Sequence, residues 1–218
     1  MIRIPGEGGL ELSAVFDEIA CSTGAAPGAV VCHPHPAFGG RMTTPLVVAL
    51  HQALVAAGFS TLRFNFRGLD GSTGTPTGGL AEWADVASAV DYVAARAPSV
   101  ALVGYSFGAL MAARAVANGV RVTSLAAVGF PTTIIGADPD RLAEIEQALV
   151  AGQPTLFLQG DQDRFCKLSR IEAFGAGHPS VTIETLPGVS HFPAGSDEDH
   201  VVARVAAFTR DFSALTRA

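Results

Sequence analysis

The pentapeptide Gly104-Tyr105-Ser106-Phe107-Gly108 is the part of this sequence best suited to covalent chemistry. Four apolar residues, 100–103, run into it, and an alanine-rich stretch of helical length follows. That order reads as strand, sharp turn and helix. A serine on such a turn projects above the sheet edge, and the flanking glycines let strand and helix pack closely around it. The amino terminus of the new helix then faces the site and favours negative charge developing there. A serine hydroxyl attacks a carbonyl well only when a base takes its proton. That base is usually a histidine held in one tautomer by a carboxylate.

With a serine placed this way, the acid and then the histidine follow in the chain. There are six histidines. His33, His35 and His51 precede Ser106. His178 falls just before the last expected strand, at the wrong edge of the sheet, and His200 falls inside the last expected helix. His191, in the loop Pro187-Gly188-Val189-Ser190-His191-Phe192, is left as the base. The acid should follow the preceding strand, which runs into Gln159-Gly160-Asp161-Gln162-Asp163. Both aspartates are available. Asp163 is favoured because a G-x-x-D turn commonly presents the acid, and Asp161 would then serve as a turn residue bonding to nearby backbone N–H groups.

A carbonyl under attack becomes an oxyanion that needs two fixed donors. One is expected from the backbone N–H of Phe107, directly after the serine. The other is expected from His33-Pro34-His35-Pro36-Ala37-Phe38-Gly39-Gly40. Proline has no N–H, so Pro34 and Pro36 drop out. His35 is then the best-placed donor, with Ala37 next. H-x-H also suggests a metal, but no third ligand lies at a supporting spacing, so no metal and no cofactor is expected.

These residues fall just after short apolar runs, so the elements behind them matter. Strands are expected at 2–4, 11–16, 29–32, 60–65, 100–104, 124–128, 154–158 and 181–185. Helices are expected at 44–57, 80–96, 107–118, 141–151, 168–174 and 197–212. After the first strands this is a β-α-β-α series, and segments such as 29–32 and 100–104 are apolar on both faces. That pattern fits an α/β fold with a mostly parallel sheet covered by helices, where ligands bind at the carboxyl ends of the strands. The 218 residues suit a single domain, 1–218. Apolar residues make up 49% and charged ones 16%, which excludes a disordered chain. Net charge is −6 with no basic cluster, so no nucleic-acid partner is expected. No apolar run reaches membrane-spanning length and no secretory leader stands out, so a cytoplasmic protein without a membrane partner is expected. Cys21, Cys32 and Cys166 form no paired motif and read as reduced thiols.

Taken together and in order, HPHPAFGG, LRFNFRG, GYSFG, GDQD and GVSHF resemble the small, lidless bacterial α/β-hydrolases of the dienelactone-hydrolase-like group. The resemblance spans nearly the whole chain from about residue 29. It implies an α/β-hydrolase fold with an eight-stranded, mostly parallel sheet whose second strand is antiparallel. It also implies a triad of Ser106, Asp163 and His191. One departure is plain: dienelactone hydrolases proper use a cysteine where this chain has Ser106, which argues against that substrate.

Residues 131–152 leave room for a loop and one helix but no large cap. The site should therefore be open, or covered by small loops or a partner subunit, and a homodimer is allowed. Phe38, Phe66, Tyr105, Phe130, Phe165 and Phe192 follow or end strands and could line an apolar acyl or ring pocket. Arg41 could hold a substrate carboxylate, and so could Arg67, although Arg67 reads better as a brace within its own loop against Asp70. The leading expectation is a serine hydrolase of carboxylic esters, lactones or thioesters, acting on a small-molecule acyl substrate through an acyl-enzyme. A cyclase, acyltransferase or perhydrolase could use the same residues, and a binding protein could keep the fold without the chemistry.

Overall fold

The computed structural model describes residues 1–21, 24–133, 152, 154–176 and 178–214. β1 (Ile2–Pro5) and β2 (Glu11–Asp17) open the chain. A two-stranded ribbon, β3 (Ala20–Cys21) with β4 (Gly24–Ala25), follows them. Then come β5 (Gly28–Cys32), α1 (Pro45–Ala56), β6 (Ser60–Phe64), α2 (Glu82–Ala94), β7 (Val100–Tyr105) and α3 (Phe107–Ala117). β8 (Leu125–Val128), β9 (Thr155–Gly160), α4 (Leu168–Gly175), β10 (Val181–Leu186) and α5 (Ser196–Ala214) complete it. Eight strands form one sheet in the order β1-β2-β6-β5-β7-β8-β9-β10. β2 runs antiparallel to both its neighbours, and every pairing from β6 to β10 is parallel. The expected helix at 141–151, and with it the expectation of a short capless loop, lies outside the described residues.

The two-residue period of a strand sends its side chains to opposite faces, and here both faces are covered. On β5, Val30 and Cys32 join a core with α2 and α3. Ala29 and Val31, between them, join a second core with α1 and α5. β7 divides the same way: Leu102 goes to the first core, Val103 and Tyr105 to the second. α1 starts with Pro45 at its first position, where a missing N–H costs nothing, and buries Leu46, Val47, Leu50 and Leu54. Burying four such side chains contributes roughly 1.5–3 kcal/mol each. α3 buries four alanines (Ala109, Ala112, Ala113 and Ala115) together with Phe107, Leu110 and Met111.

Candidate active site

Ser106 links β7 to α3 with φ 55° and ψ −118°. A non-glycine residue held there costs about 1–3 kcal/mol, so the surrounding structure must impose it. The two glycines of the motif show how. A Cβ on Gly108 would lie 2.3 Å from the Cys32 carbonyl oxygen and 2.7 Å from that of His33. One on Gly104 would lie 2.5 Å from the Ala109 backbone. Only glycine lets α3 start this close to β5 and β7.

Ser106 Oγ lies 2.7 Å from His191 Nε2, and His191 Nδ1 lies 2.7 Å from Asp163 Oδ2. All three residues are buried. Asp163 Oδ1 accepts the Phe165 N–H at 2.8 Å, and Gln159 Nε2 donates to Asp163 Oδ2 at 2.7 Å. With both oxygens occupied by donors, the carboxylate is set as an acceptor facing the imidazole. Asp161 points elsewhere: its Oδ1 accepts the Gly188 N–H at 2.8 Å. The acid turn and the histidine loop meet at Gly160, where a Cβ would lie 2.1 Å from the Val189 carbonyl oxygen. The His191 ring packs edge-on against Phe165 at 4.7 Å and Phe192 at 5.1 Å. The Tyr105 hydroxyl donates to the His191 carbonyl at 3.0 Å, anchoring the backbone of the same residue.

The loop after β5 turns back tightly beside Phe107. His35 starts a short 3₁₀ turn, Pro36–Phe38, and its ring lies 4.6 Å from the Phe107 ring. Its Nδ1 accepts the Ala37 N–H at 3.1 Å, so Ala37 is not free to donate to anything else. Phe107 is the first residue of α3, so its N–H has no partner within the helix. Among the described residues, neither the His35 nor the Phe107 backbone N–H is given to another acceptor. His33 is spoken for at both nitrogens. Nδ1 donates to the Pro34 carbonyl at 2.6 Å, and Nε2 accepts the Phe66 N–H at 3.2 Å. Burial pulls its pKa down to about 4, so it is neutral above that and cannot serve as a free ligand. Burial lowers the His35 pKa as well. Among the described residues, no three His, Cys, Asp or Glu side chains come together for a metal ion. Burial pushes the Cys32 thiol well above its ordinary range and that of Cys166 up to about 12, which leaves neither as a competing nucleophile.

The expected apolar pocket needs correction. Phe66 is 0% exposed, with its ring against those of His33, Phe64 and Phe107. Phe130 is also in the core, against Phe157. Neither lines an open site, because following a strand does not decide which way a side chain points. Tyr105 is buried and acts through its hydroxyl. Phe38 and Phe192 are exposed, and Phe165 is half-buried beside His191. Arg41 pairs with Asp70. Arg67 does not reach Asp70 but grips Asp85 on α2, through Nε at 3.0 Å and Nη2 at 2.7 Å. Sequence reasoning missed Gln159. Its signal was a polar residue directly after the apolar run Leu156-Phe157-Leu158 of β9, four positions before Asp163.

A family profile for the alpha/beta hydrolase domain matches residues 27–212. A protein of Rickettsia prowazekii (strain Madrid E) is 30% identical over 177 residues, covering 77% of this chain and 72% of that relative. Among solved structures, an alpha-beta serine hydrolase homologue from Coxiella burnetii superposes with a TM-score of 0.73 at 28% identity, over 96% of this chain and 95% of that one. A protein of unknown function from Agrobacterium tumefaciens, assigned as a candidate alpha/beta hydrolase, gives a TM-score of 0.79 at 27% identity, over 95% and 93% of the two chains.

Proposed function

Because the chain belongs to the alpha/beta-hydrolase family, we propose that it hydrolyses carboxylic esters with Ser106 as nucleophile, His191 as general base and acid, and Asp163 as the orienting acid. The observation that carries this reading is the continuous hydrogen-bonded series Ser106–His191–Asp163, with 2.7 Å at each link. Ser106 Oγ attacks the ester carbonyl as His191 Nε2 takes its proton. Asp163 stabilises the imidazolium that forms and keeps Nε2 facing the serine. The oxyanion is received by the backbone N–H groups of Phe107 and His35, fixed before substrate arrives. His191 then protonates the departing alcohol, leaving Ser106 acylated. Water, deprotonated by His191, attacks the acyl group and frees the acid. The same steps open a small lactone, whose leaving alkoxide stays tethered to the acyl group, or cleave a thioester, whose leaving atom is sulfur.

The substrate is proposed to be a small molecule with apolar groups around the carbonyl. Phe38, on the proposed oxyanion loop with its ring against His35, and Phe192, with its ring against His191, offer exposed apolar rings. The test is turnover of short p-nitrophenyl esters by the wild type and by Ser106→Ala. The variant is expected to lose turnover to near the uncatalysed rate while remaining folded. Full turnover in that variant overturns the proposal.

A further inference from the structure

Gln159 lies on β9 two positions after Phe157, so it shares that residue's face of the sheet. It is 0% exposed, near the end of a strand whose other buried side chains are Thr155 and the apolar Leu156, Phe157 and Leu158. Its Nε2 donates to Asp163 Oδ2 at 2.7 Å, the same oxygen that His191 Nδ1 contacts. The amide has one sensible orientation, because turned over it would set its carbonyl oxygen against the carboxylate. Gln159 Oε1 has no hydrogen-bond partner among the described residues. A buried carbonyl without a donor costs stability. The chain keeps that cost where a leucine or methionine would suit the strand, and the hydrogen bond this side chain makes is to Asp163.

We infer that Gln159 is a positioning residue for the proposed relay, holding the Asp163 carboxylate in place and sharing its charge so that Oδ2 orients His191. The inference rests on the Ser106–His191–Asp163 reading. When Ser106 attacks, His191 becomes an imidazolium, and Asp163 must stabilise it without rotating away. A second donor on Oδ2 fixes that rotation. It also moderates the stabilisation that Oδ2 gives the imidazolium through Nδ1–H, so that the separate proton on Nε2 passes more readily to the leaving group. Gln159 touches no reacting atom itself.

The titratable groups facing Asp163 besides His191 are Tyr105 on β7 and Cys166 after the acid turn. Burial raises the Tyr105 phenol, with the charges of Asp163 and Glu198 adding to it. Burial, again helped by Asp163, raises the Cys166 thiol to about 12. Both stay neutral across the working range of an esterase, so neither accounts for a change in its pH profile.

The test measures the rate of fluorophosphonate labelling of Ser106 against pH in the wild type, Gln159→Leu and Gln159→Glu. Gln159→Leu is expected to label roughly ten- to a hundredfold more slowly, the worth of one hydrogen bond to a charged group. Its acid limb should move to higher pH, because an unshared carboxylate holds the imidazolium more strongly. Gln159→Glu keeps the shape. While the introduced carboxyl is protonated it donates to Oδ2 and labelling persists. Once ionised it repels Asp163, so labelling falls on the alkaline side where the wild type stays level. Unchanged rates and profiles in both variants overturn the inference. Should Gln159→Leu fail to fold, the profile of Gln159→Glu decides alone. Absence of labelling in the wild type removes the proposed function itself, and this inference with it.

Discussion

Each residue of the site acts through one or two contacts, and each can be removed singly. Asp163→Asn keeps the size but offers an amide where His191 needs a carboxylate, so Nδ1 can lose its proton to the wrong tautomer. A loss of about 10⁴-fold in kcat, with little change in KM, is expected from ester kinetics. Tyr105→Phe leaves the His191 carbonyl without its donor in a buried place. That should lower stability by about 1–3 kcal/mol in urea unfolding. Gly108→Ala puts a methyl into the Cys32 and His33 carbonyls, which are backbone atoms that cannot swing aside. It is expected to abolish soluble expression or labelling, whereas an alanine at the open Gly119, just after α3, leaves the site untouched apart from the strain at its φ of 92°.

Elements are tied together by buried polar groups, and these set the response to pH. His33 bonds the loop after β5 to the loop after β6, and burial lowers its pKa from 6.5 to about 4. The unfolded chain therefore binds a proton at a pH where the folded chain does not. This contribution is fully present above pH 6.5 and is lost as pH falls from 6.5 to 4, by about 3 kcal/mol. His35 and His51 are lowered too, so their contributions have the same sign. Glu82, at the start of α2, takes over below that window. Burial alone would raise its pKa, but hydrogen bonds from Thr77 and Gly79 hold it below the ordinary 4.5. Its stabilisation is present above 4.5 and fades as pH falls through the lowered value. Urea unfolding from pH 7 to 4 should show a falling midpoint, with a shallower slope in His33→Asn. A flat midpoint across that range contradicts the assignment. The Arg67–Asp85 pair joins the loop after β6 to α2 with both side chains buried. Its bonds to Asp85 keep the Arg67 guanidinium charged. Arg67→Met leaves Asp85 buried without its counter-charge, at an expected cost of about 3–5 kcal/mol in unfolding free energy.

At the scale of the whole molecule, the parallel pairings from β5 to β10 bring the carboxyl ends of β5, β7, β9 and β10 to one edge. The loop from His33 to Gly40, Ser106, Asp163 and His191 follow those four strands in turn. This arrangement was legible in the sequence because strands buried on both faces read as apolar runs, and the candidate residues sat just after them. Among the described residues, the elements expected from the alternation of strand and helix match the observed ones to within a few residues, whereas the short ribbon of β3 and β4 was not expected. Direction and partnership were not legible. Phe66 and Phe130 end up inside because which face a residue takes after its strand depends on the loop's path. Arg67 finds Asp85 rather than the nearer Asp70 because α2 folds back over it, 18 residues on. Gln159 was hidden because a single amide in an apolar strand has no motif. Among the described residues, the exposed large apolar side chains other than Met1 are Phe38 (73%), Leu80 (61%) and Phe192 (65%). Phe38 and Phe192 sit on loops beside the site, and Leu80 follows Gly79, which borders the Phe107 ring. Phe192→Ala should raise KM several-fold for a bulky apolar ester and barely alter it for an acetate. The most direct measurement of the central claim is the intact mass of the protein after a fluorophosphonate, with the adduct mapped by peptide sequencing. One adduct per chain on Ser106, absent in Ser106→Ala and strongly slowed in His191→Ala, is the predicted result. An unlabelled wild-type Ser106, or equal labelling with His191 removed, contradicts it.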